Sequence, residues 1–361
     1  MKKIIKRSAT AKMADDIEKV VFKKQSPKEK RVEFLHSGSS VLNLALSGDV
    51  NGGWARGRVI NIVGDGSSGK TLLALELAAW FYHNIKSMKS SIYPKVKRVK
   101  IIYYNAEEVM DFPLEEMYGK KFVDAVDWRP KEGDAMTAEG WGRDVGRELL
   151  KYKKGDAVLY IEDSIDALNP EASSKRFDKA AKEDKAEESK SYAEKASYFS
   201  QSFFSNLVGK VAGKDFTIVL ISQVREKIGV VFGKKHYRTG GKSLDFYTHQ
   251  VAWLAVKERM KKTVKKQERV YGVKVRMNLD RSKVSKPFRT ADFDILFNYG
   301  VDDFSGLIDF VHPGCHPQKK IAMIRKMERD DSYYENMKLK AQRLWNEIEN
   351  SIEPKRKKKY S

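Results

Sequence analysis

The run Gly64-Asp65-Gly66-Ser67-Ser68-Gly69-Lys70-Thr71 fits G-x-x-x-x-G-K-[ST], and its residue types suit the holding of phosphate. Glycines let a backbone turn tightly and aim its N–H groups at phosphate oxygens, and a following helix adds the partial positive charge of its N-terminus. Lys70 has the length to reach β- and γ-phosphates, and the Thr71 hydroxyl can ligate Mg²⁺. The flanks agree: Val59, Ile60, Ile62 and Val63 precede the loop as a short apolar run, and Leu72, Leu73, Leu75 and Leu77 follow it at helical density. Strand, loop and helix in that order predict a site for a nucleoside triphosphate and Mg²⁺.

Hydrolysis of a bound triphosphate needs a carboxylate near the metal and a base for water. Residues 158–163 form an apolar run ending in Glu162 and Asp163, so Asp163 can support the metal through its waters. An acid that merely caps a strand would read the same way. A second apolar run, 101–105, leads to Glu107, with Glu108 as its rival for the base. In parallel sheets, ligands gather at the C-terminal edge of the strands, and this is where both acids fall. A third run, 216–222, ends in Gln223, which at that edge can hydrogen-bond a γ-phosphate. The stretch after it, 224–241, is basic, bounded by glycines and carries Phe232 and Tyr237. Cations interleaved with aromatics suit single-stranded nucleic acid, although a solvated surface loop has the same composition.

These residues need a frame, and the chain supplies an alternating one. Strands are predicted at 58–63, 99–105, 157–162, 216–222 and 250–256, with helices at 71–84, 138–152 and 192–212. That alternation predicts an α/β fold with a mostly parallel sheet flanked by helices. Further strands at 270–279 and 293–297 read as hairpin partners, and 331–352 as an amphipathic helix. Residues 173–190 are dense in both charge signs and read as a mobile loop or an exposed helix. Residues 14–24 read as a short helix whose narrow apolar stripe needs another surface to cover it.

Composition narrows the class of partner. Across 361 residues, 70 basic against 49 acidic side chains leave a net charge of +21. Such a surplus points to a polyanion, with nucleic acid ahead of a membrane surface. Hydrophobic residues, at 41%, suffice for a sizeable core, and no apolar run has the length of a membrane span or a signal peptide. Cys315 is the one cysteine, so an intrachain disulfide is excluded. A cytoplasmic setting and no membrane partner are expected.

Read together, these segments resemble the RecA family of homologous-recombination proteins, phage recombinases included. The stretch 57–71 is similar to the family's phosphate-loop strand, 105–111 to its catalytic-glutamate segment and 161–170 to its metal-supporting strand. Most specific is 222–241, similar to the family's second DNA-binding loop. The resemblance covers roughly residues 37–310. It implies that ATP is the nucleotide, with Asp111 at the adenine. Glu107 activates water, and Gln223 senses the γ-phosphate and couples it to the DNA loop. Arg225, Lys227, Phe232, Lys234, Arg238, Gly240 and Gly241 belong to the loop that grips single-stranded DNA. Arg281 and Lys283 match paired cations that reach a neighbouring subunit's ATP, and Phe246 matches a subunit contact. The helix at 14–24 resembles an element that packs on the adjacent protomer.

Three departures stand out. The first DNA loop, about 171–195, is longer, highly charged and poor in glycine. Leu114 stands where the family places an aromatic against adenine, which implies a looser pocket. The chain ends in a basic tail, Lys355 to Lys359, where bacterial relatives tend to end in an acidic one.

The resulting expectation is a P-loop ATPase core of RecA type at 36–310, a basic oligomerisation arm at 1–35, and a C-terminal helical region with a basic tail at 311–361. The implied function is a DNA-dependent ATPase that forms filaments on single-stranded DNA and promotes pairing and strand exchange with double-stranded DNA. Partners are then other copies of the chain and loader or single-strand-binding proteins. A hexameric helicase or translocase, or an ATP-clamped mediator with little hydrolysis, remains as an alternative.

Overall fold

A computed structural model describes residues 32–356 apart from 108–109, 111, 133–135, 184–194, 196, 200–202, 227–235 and 239–240. The compact unit from Glu33 to Ser361 contains all the elements that follow.

The strands are β1 (Phe34–Leu35), β2 (Trp54–Ala55), β3 (Val59–Gly64), β4 (Arg98–Asn105), β5 (Val126–Arg129), β6 (Asp156–Asp163), β7 (Phe216–Glu226), β8 (His236–Arg238), β9 (Gln250–Val264), β10 (Gln267–Ser282), β11 (Thr290–Leu296) and β12 (Gly300–Asp302). The helices are α1 (Ser40–Ser47), α2 (Lys70–Asn84), α3 (Leu114–Tyr118), α4 (Lys120–Ala125), α5 (Ala138–Lys151), α6 (Glu171–Glu183), α7 (Phe204–Val211), α8 (Gly241–Tyr247), α9 (Asp303–Val311), α10 (Pro317–Met327) and α11 (Asp331–Ile352).

One ten-stranded sheet runs β12-β11-β10-β9-β3-β7-β6-β4-β5, with β8 paired to β7. From β9 to β5 the neighbours are parallel, whereas β9 to β12 are antiparallel. The α/β architecture with a mostly parallel central sheet is therefore as the alternation predicts. The strands β3 and β6 are buried at every position because helices cover both faces. Alternate residues serve the two layers. Ile60, Ile62, Leu159, Ile161, Val219 and Ile221 join one core with α1, α2 and the C-terminal helices. Val59, Val158, Tyr160, Ile218 and Leu220 join the other with α5 and α7. Each fully buried Leu or Ile contributes roughly 1.5–3 kcal/mol relative to exposure, which fixes the strand register and everything at the strand ends.

The antiparallel half is more extended than the sequence suggests. The strand expected at 250–256 continues to Val264 and pairs with β10, and β10 pairs antiparallel with β11 as expected for 270–279 and 293–297. Pairing of β9 with β3 stops at Leu254, and pairing of β10 with β11 begins at Gly272. Residues 261–271 therefore run on as a two-stranded ribbon, turned at Lys265 and Lys266 with φ of 49° and 64°. Alternation fades in this charged ribbon, and for that reason composition understates its length. The short strand β5 is likewise absent from the sequence expectation, since four residues carry too little periodicity. The charged segment begins as the helix α6, and 184–190 lie outside the described residues. Of the helix expected at 192–212, α7 is the portion resolved as a continuous element. The amphipathic helix at 331–352 is α11, which adds Met337 and Ala341 to the first core.

Candidate nucleotide and DNA site

Ladder register brings four strand ends to one edge. Gly64 lies beside Gln223 and Leu254, and Asn105 lies beside Asp163. The phosphate loop leaves β3 there and enters α2 through Gly69, whose φ of 88° is the left-handed region open to glycine. A Cβ at Gly69 would also collide with Ile295 Cδ1. No side chain caps this end of α2, so the loop's N–H groups are presented to whatever sits above them. Lys70 is buried and its ammonium donates to the Asp65 carbonyl at 2.7 Å, folding back over the loop. Burial lowers its pKa, and Asp163 and Glu107 oppose that shift. An anion arriving in the loop would offer this ammonium a better partner than a carbonyl.

Thr71 Oγ1 donates to Asp163 Oδ2 at 2.7 Å, and the Tyr103 hydroxyl donates to the same oxygen at 2.6 Å. Burial raises the pKa of Asp163, while those two hydrogen bonds hold it down. Divalent magnesium at triphosphate sites takes one or two protein oxygens and completes its shell with phosphate and water. A threonine hydroxyl backed by a buried carboxylate fits that donor set. Among the described residues no cluster of three or more acidic, histidine or cysteine side chains offers a metal cage. No motif in the sequence marks Tyr103. Its signal is parity: it precedes Asn105 by two residues and so faces the same layer as Asp163 across the ladder.

Glu107 stands just past β4, as the sequence predicts, and its Oε1 accepts twice. Ser164 Oγ donates at 2.6 Å and Gln223 Nε2 donates at 2.8 Å. The Gln223 backbone N–H donates to Asp166 Oδ2 at 2.7 Å, Arg225 Nε lies 3.4 Å from Asp166 Oδ1, and the buried Lys195 ammonium donates to the Asp166 carbonyl at 2.9 Å. Asp166 therefore ties the end of β7 to Lys195, a role that spacing alone does not reveal.

A cleft of about 810 Å³ opens beside the loop. Ser67 to Leu72 form one wall, and Phe112, Met117, Phe297 and Asn298 form part of the other. Leu114 packs against the core, whereas Phe112 and Phe297 line the cleft.

The profile of the RecA N-terminal domain matches residues 8–89 and 147–302. The chain belongs to the RecA family.

Among its relatives is Protein RecA of Trichodesmium erythraeum (strain IMS101), 30% identical over 279 residues, which are 77% of this chain and 67% of that protein. Protein RecA of Arthrospira platensis is 29% identical over 281 residues, covering 77% and 66%. Protein RecA of Gloeobacter violaceus (strain ATCC 29082 / PCC 7421) is 30% identical over 279 residues, covering 77% and 65%. The chain thus spans about two thirds of the length of these relatives.

For a RecA-family chain, the position of Arg281 and Lys283 is informative. Arg281 pairs with Val251, itself beside Asn61, and the Lys283 N–H donates to the His249 carbonyl at 2.8 Å. His249 in turn bonds Val59. Both cations thus lie toward the start of β3, while the phosphate loop leaves its far end. Arg281 lies 3.8 Å from Asp245, and Lys283 donates to the Phe246 carbonyl. Burial, then the neighbouring Arg281, lowers the Lys283 pKa. Phe246 is 67% exposed beside them, and Phe288 is 76% exposed.

The remaining sites divide. Arg225 is exposed. Arg238 is buried and bound to Asp245 at 2.5 Å, so in this arrangement its charge is neutralised within the chain. Gly241 opens α8. Asp111, Lys227, Phe232, Lys234 and Gly240 lie outside the described residues, as does the helix expected at 14–24. No described helix is long and apolar enough to cross a membrane.

Proposed function

We propose that this RecA-family chain is a DNA-dependent ATPase that assembles on single-stranded DNA and promotes pairing and strand exchange with a duplex. The observation that carries this reading is the hydrogen bond from Gln223 to Glu107. It joins the group suited to activate water to the residue that leads into the basic stretch 224–241, which is suited to DNA. Lys70 and the N–H groups of 64–71 hold the ATP phosphates, Asp111 with Phe112 and Phe297 accommodates the base, and Thr71 with Asp163 holds Mg²⁺. The metal supplies charge neutralisation to the phosphates when bound. Glu107 accepts a proton from the attacking water, and Gln223 exchanges its bond with Glu107 for one to the γ-phosphate. That exchange re-aims the end of β7 and the stretch after it, where Arg225, Lys227, Phe232, Lys234, Gly240 and Gly241 meet the DNA backbone and bases.

Within one chain, Arg281 and Lys283 sit at the wrong end of β3 to reach the γ-phosphate. They serve a neighbour's site, with Phe246 in the contact, so the active unit is a homo-oligomer. The net charge of +21 favours a phosphate backbone as the surface on which copies line up. The protein works in the cytoplasm of a bacterial cell or a phage-infected host, with loader or single-strand-binding proteins as further partners. An ATPase assay with and without single-stranded DNA, paired with negative-stain microscopy, tests the reading. Hydrolysis stimulated by DNA on helical filaments is the expected result, and closed rings with no filament would reject it.

A further inference from the structure

The β9–β10 hairpin runs on past the end of β3 at the same edge as the phosphate loop, and one of its cations faces that loop. Arg259 pairs with Val273 across β9 and β10, and Val273 pairs with Ile295 across β10 and β11. Directly opposed residues on adjacent strands point to one face. Ile295 identifies that face, because its Cδ1 lies against Gly69. Arg259, Val273 and Ile295 all line the cleft formed by Ser67 to Leu72. Two strand spacings, about 10 Å, separate the Arg259 backbone from that of Ile295, a gap that an extended guanidinium side chain and a phosphate chain can close between them.

The charge of Arg259 is uncommitted. Lys257 is paired with Asp292 at 2.9 Å and Lys261 with Glu268 at 2.9 Å. Among the described residues Arg259 has no ion pair, and it is exposed. A guanidinium that overhangs an uncapped helix N-terminus and a buried lysine adds a third positive element to one cleft. Such a fork binds phosphate oxygens in pairs.

We propose that Arg259 contacts the phosphate chain of the bound nucleoside di- or triphosphate from its own subunit, making the β9–β10 hairpin one wall of the nucleotide site. This rests on the reading of residues 64–71 as a nucleotide loop. It adds a cation from the same chain to the pair assigned to the neighbour.

The test is the affinity of the full chain for fluorescent ADP and ATP with Mg²⁺, in the absence of DNA. Arg259→Ala should weaken both about 10-fold and Arg259→Glu should weaken them further, with the difference shrinking as salt is raised. Thermal unfolding without nucleotide should be unchanged, since the side chain is exposed and unpaired. Unchanged nucleotide affinity in Arg259→Ala would overturn the proposal. So would weakened single-stranded DNA binding with nucleotide affinity intact. Lys70→Ala is the control for the underlying reading. If it too binds nucleotide like the wild type, the loop is not the site. If it fails while Arg259→Ala binds normally, only the role of Arg259 falls.

Discussion

Gln223 Nε2 lies 2.8 Å from Glu107 Oε1, although 116 residues separate the two in sequence. The bond spans the edge of the sheet from β7 to β4. It predicts two separable phenotypes. Glu107→Gln removes the base but keeps the shape, and should lower DNA-stimulated hydrolysis by about 10²–10⁴-fold with nucleotide binding retained. Gln223→Ala should leave basal hydrolysis and abolish its stimulation by DNA. Steady-state ATPase with and without single-stranded DNA separates them, and normal stimulation in Gln223→Ala would break the proposed coupling.

Asp166 holds the Gln223 N–H, the Arg225 guanidinium and the Lys195 ammonium together. Asp166→Ala should release the Gln223 N–H and Arg225 at the root of the basic stretch 224–241, without touching the phosphate loop, while Lys195 keeps its bond to the backbone carbonyl. Single-stranded DNA affinity in the presence of an ATP analogue should fall about 10-fold or more, while nucleotide affinity stays within twofold. Equal losses in both would mean that Asp166 supports the fold rather than the DNA segments.

Cations at the start of β3 and a phosphate loop at its end make a testable geometry. Arg281→Ala/Lys283→Ala should bind ATP yet not hydrolyse it. Lys70→Ala should fail to bind it. Mixing the two inactive proteins creates interfaces that pair an intact loop with intact cations, so partial activity should return. A mixture as inactive as its components would place Arg281 and Lys283 outside the reaction.

Two histidines predict the response to acid. His36 Nδ1 accepts from the Gly38 N–H at 3.0 Å, and His249 Nδ1 accepts from the Val59 N–H at 3.3 Å. Burial, with Lys338 near His36 and Arg58 near His249, lowers both from 6.5 to about 4. Between these values the unfolded chain takes up the proton first, so stability is lost as pH falls from 6.5 toward 4. The limit is about 3 kcal/mol per histidine. Replacing both by glutamine, which can still accept a hydrogen bond, should flatten urea-unfolding midpoints across that window. An unchanged slope would show that other groups govern the acid limb.

Arg56 is fully buried between Glu33, at 3.1 Å, and Asp215, at 2.5 Å, with its guanidinium 4.9 Å from the Tyr93 ring centre. Arg56→Ala strands two buried carboxylates and should cost about 3–5 kcal/mol in urea unfolding. A loss below about 1 kcal/mol would mean that the carboxylates find water or become protonated at little cost.

Much of the site was legible because short-range patterns encode it. Residues 64–71 need only their own φ values and the helix behind them, and Glu107, Asp163 and Gln223 each follow a buried strand whose run of apolar residues is visible. Arg238 shows the limit of such reading. It lies in the basic stretch 224–241, yet α8 brings Asp245, seven residues on, against it, a pairing that charge composition does not show. Leu114 shows another, since counting from Asp111 cannot tell that Phe112 turns into the cleft while Leu114 turns into the core.

The α/β alternation, the phosphate loop and the acids at strand ends are readable from the residues alone, because each depends on local periodicity and backbone freedom. Which strand ends become neighbours is set by the three-dimensional packing. Sheet order is set by packing two apolar faces beneath helices, and it joins residues far apart in the chain. That order puts Gln223 on Glu107, Thr71 and Tyr103 on Asp163, and Arg259 over the cleft. It also sends Arg281 and Lys283 to the opposite end of β3 from Lys70.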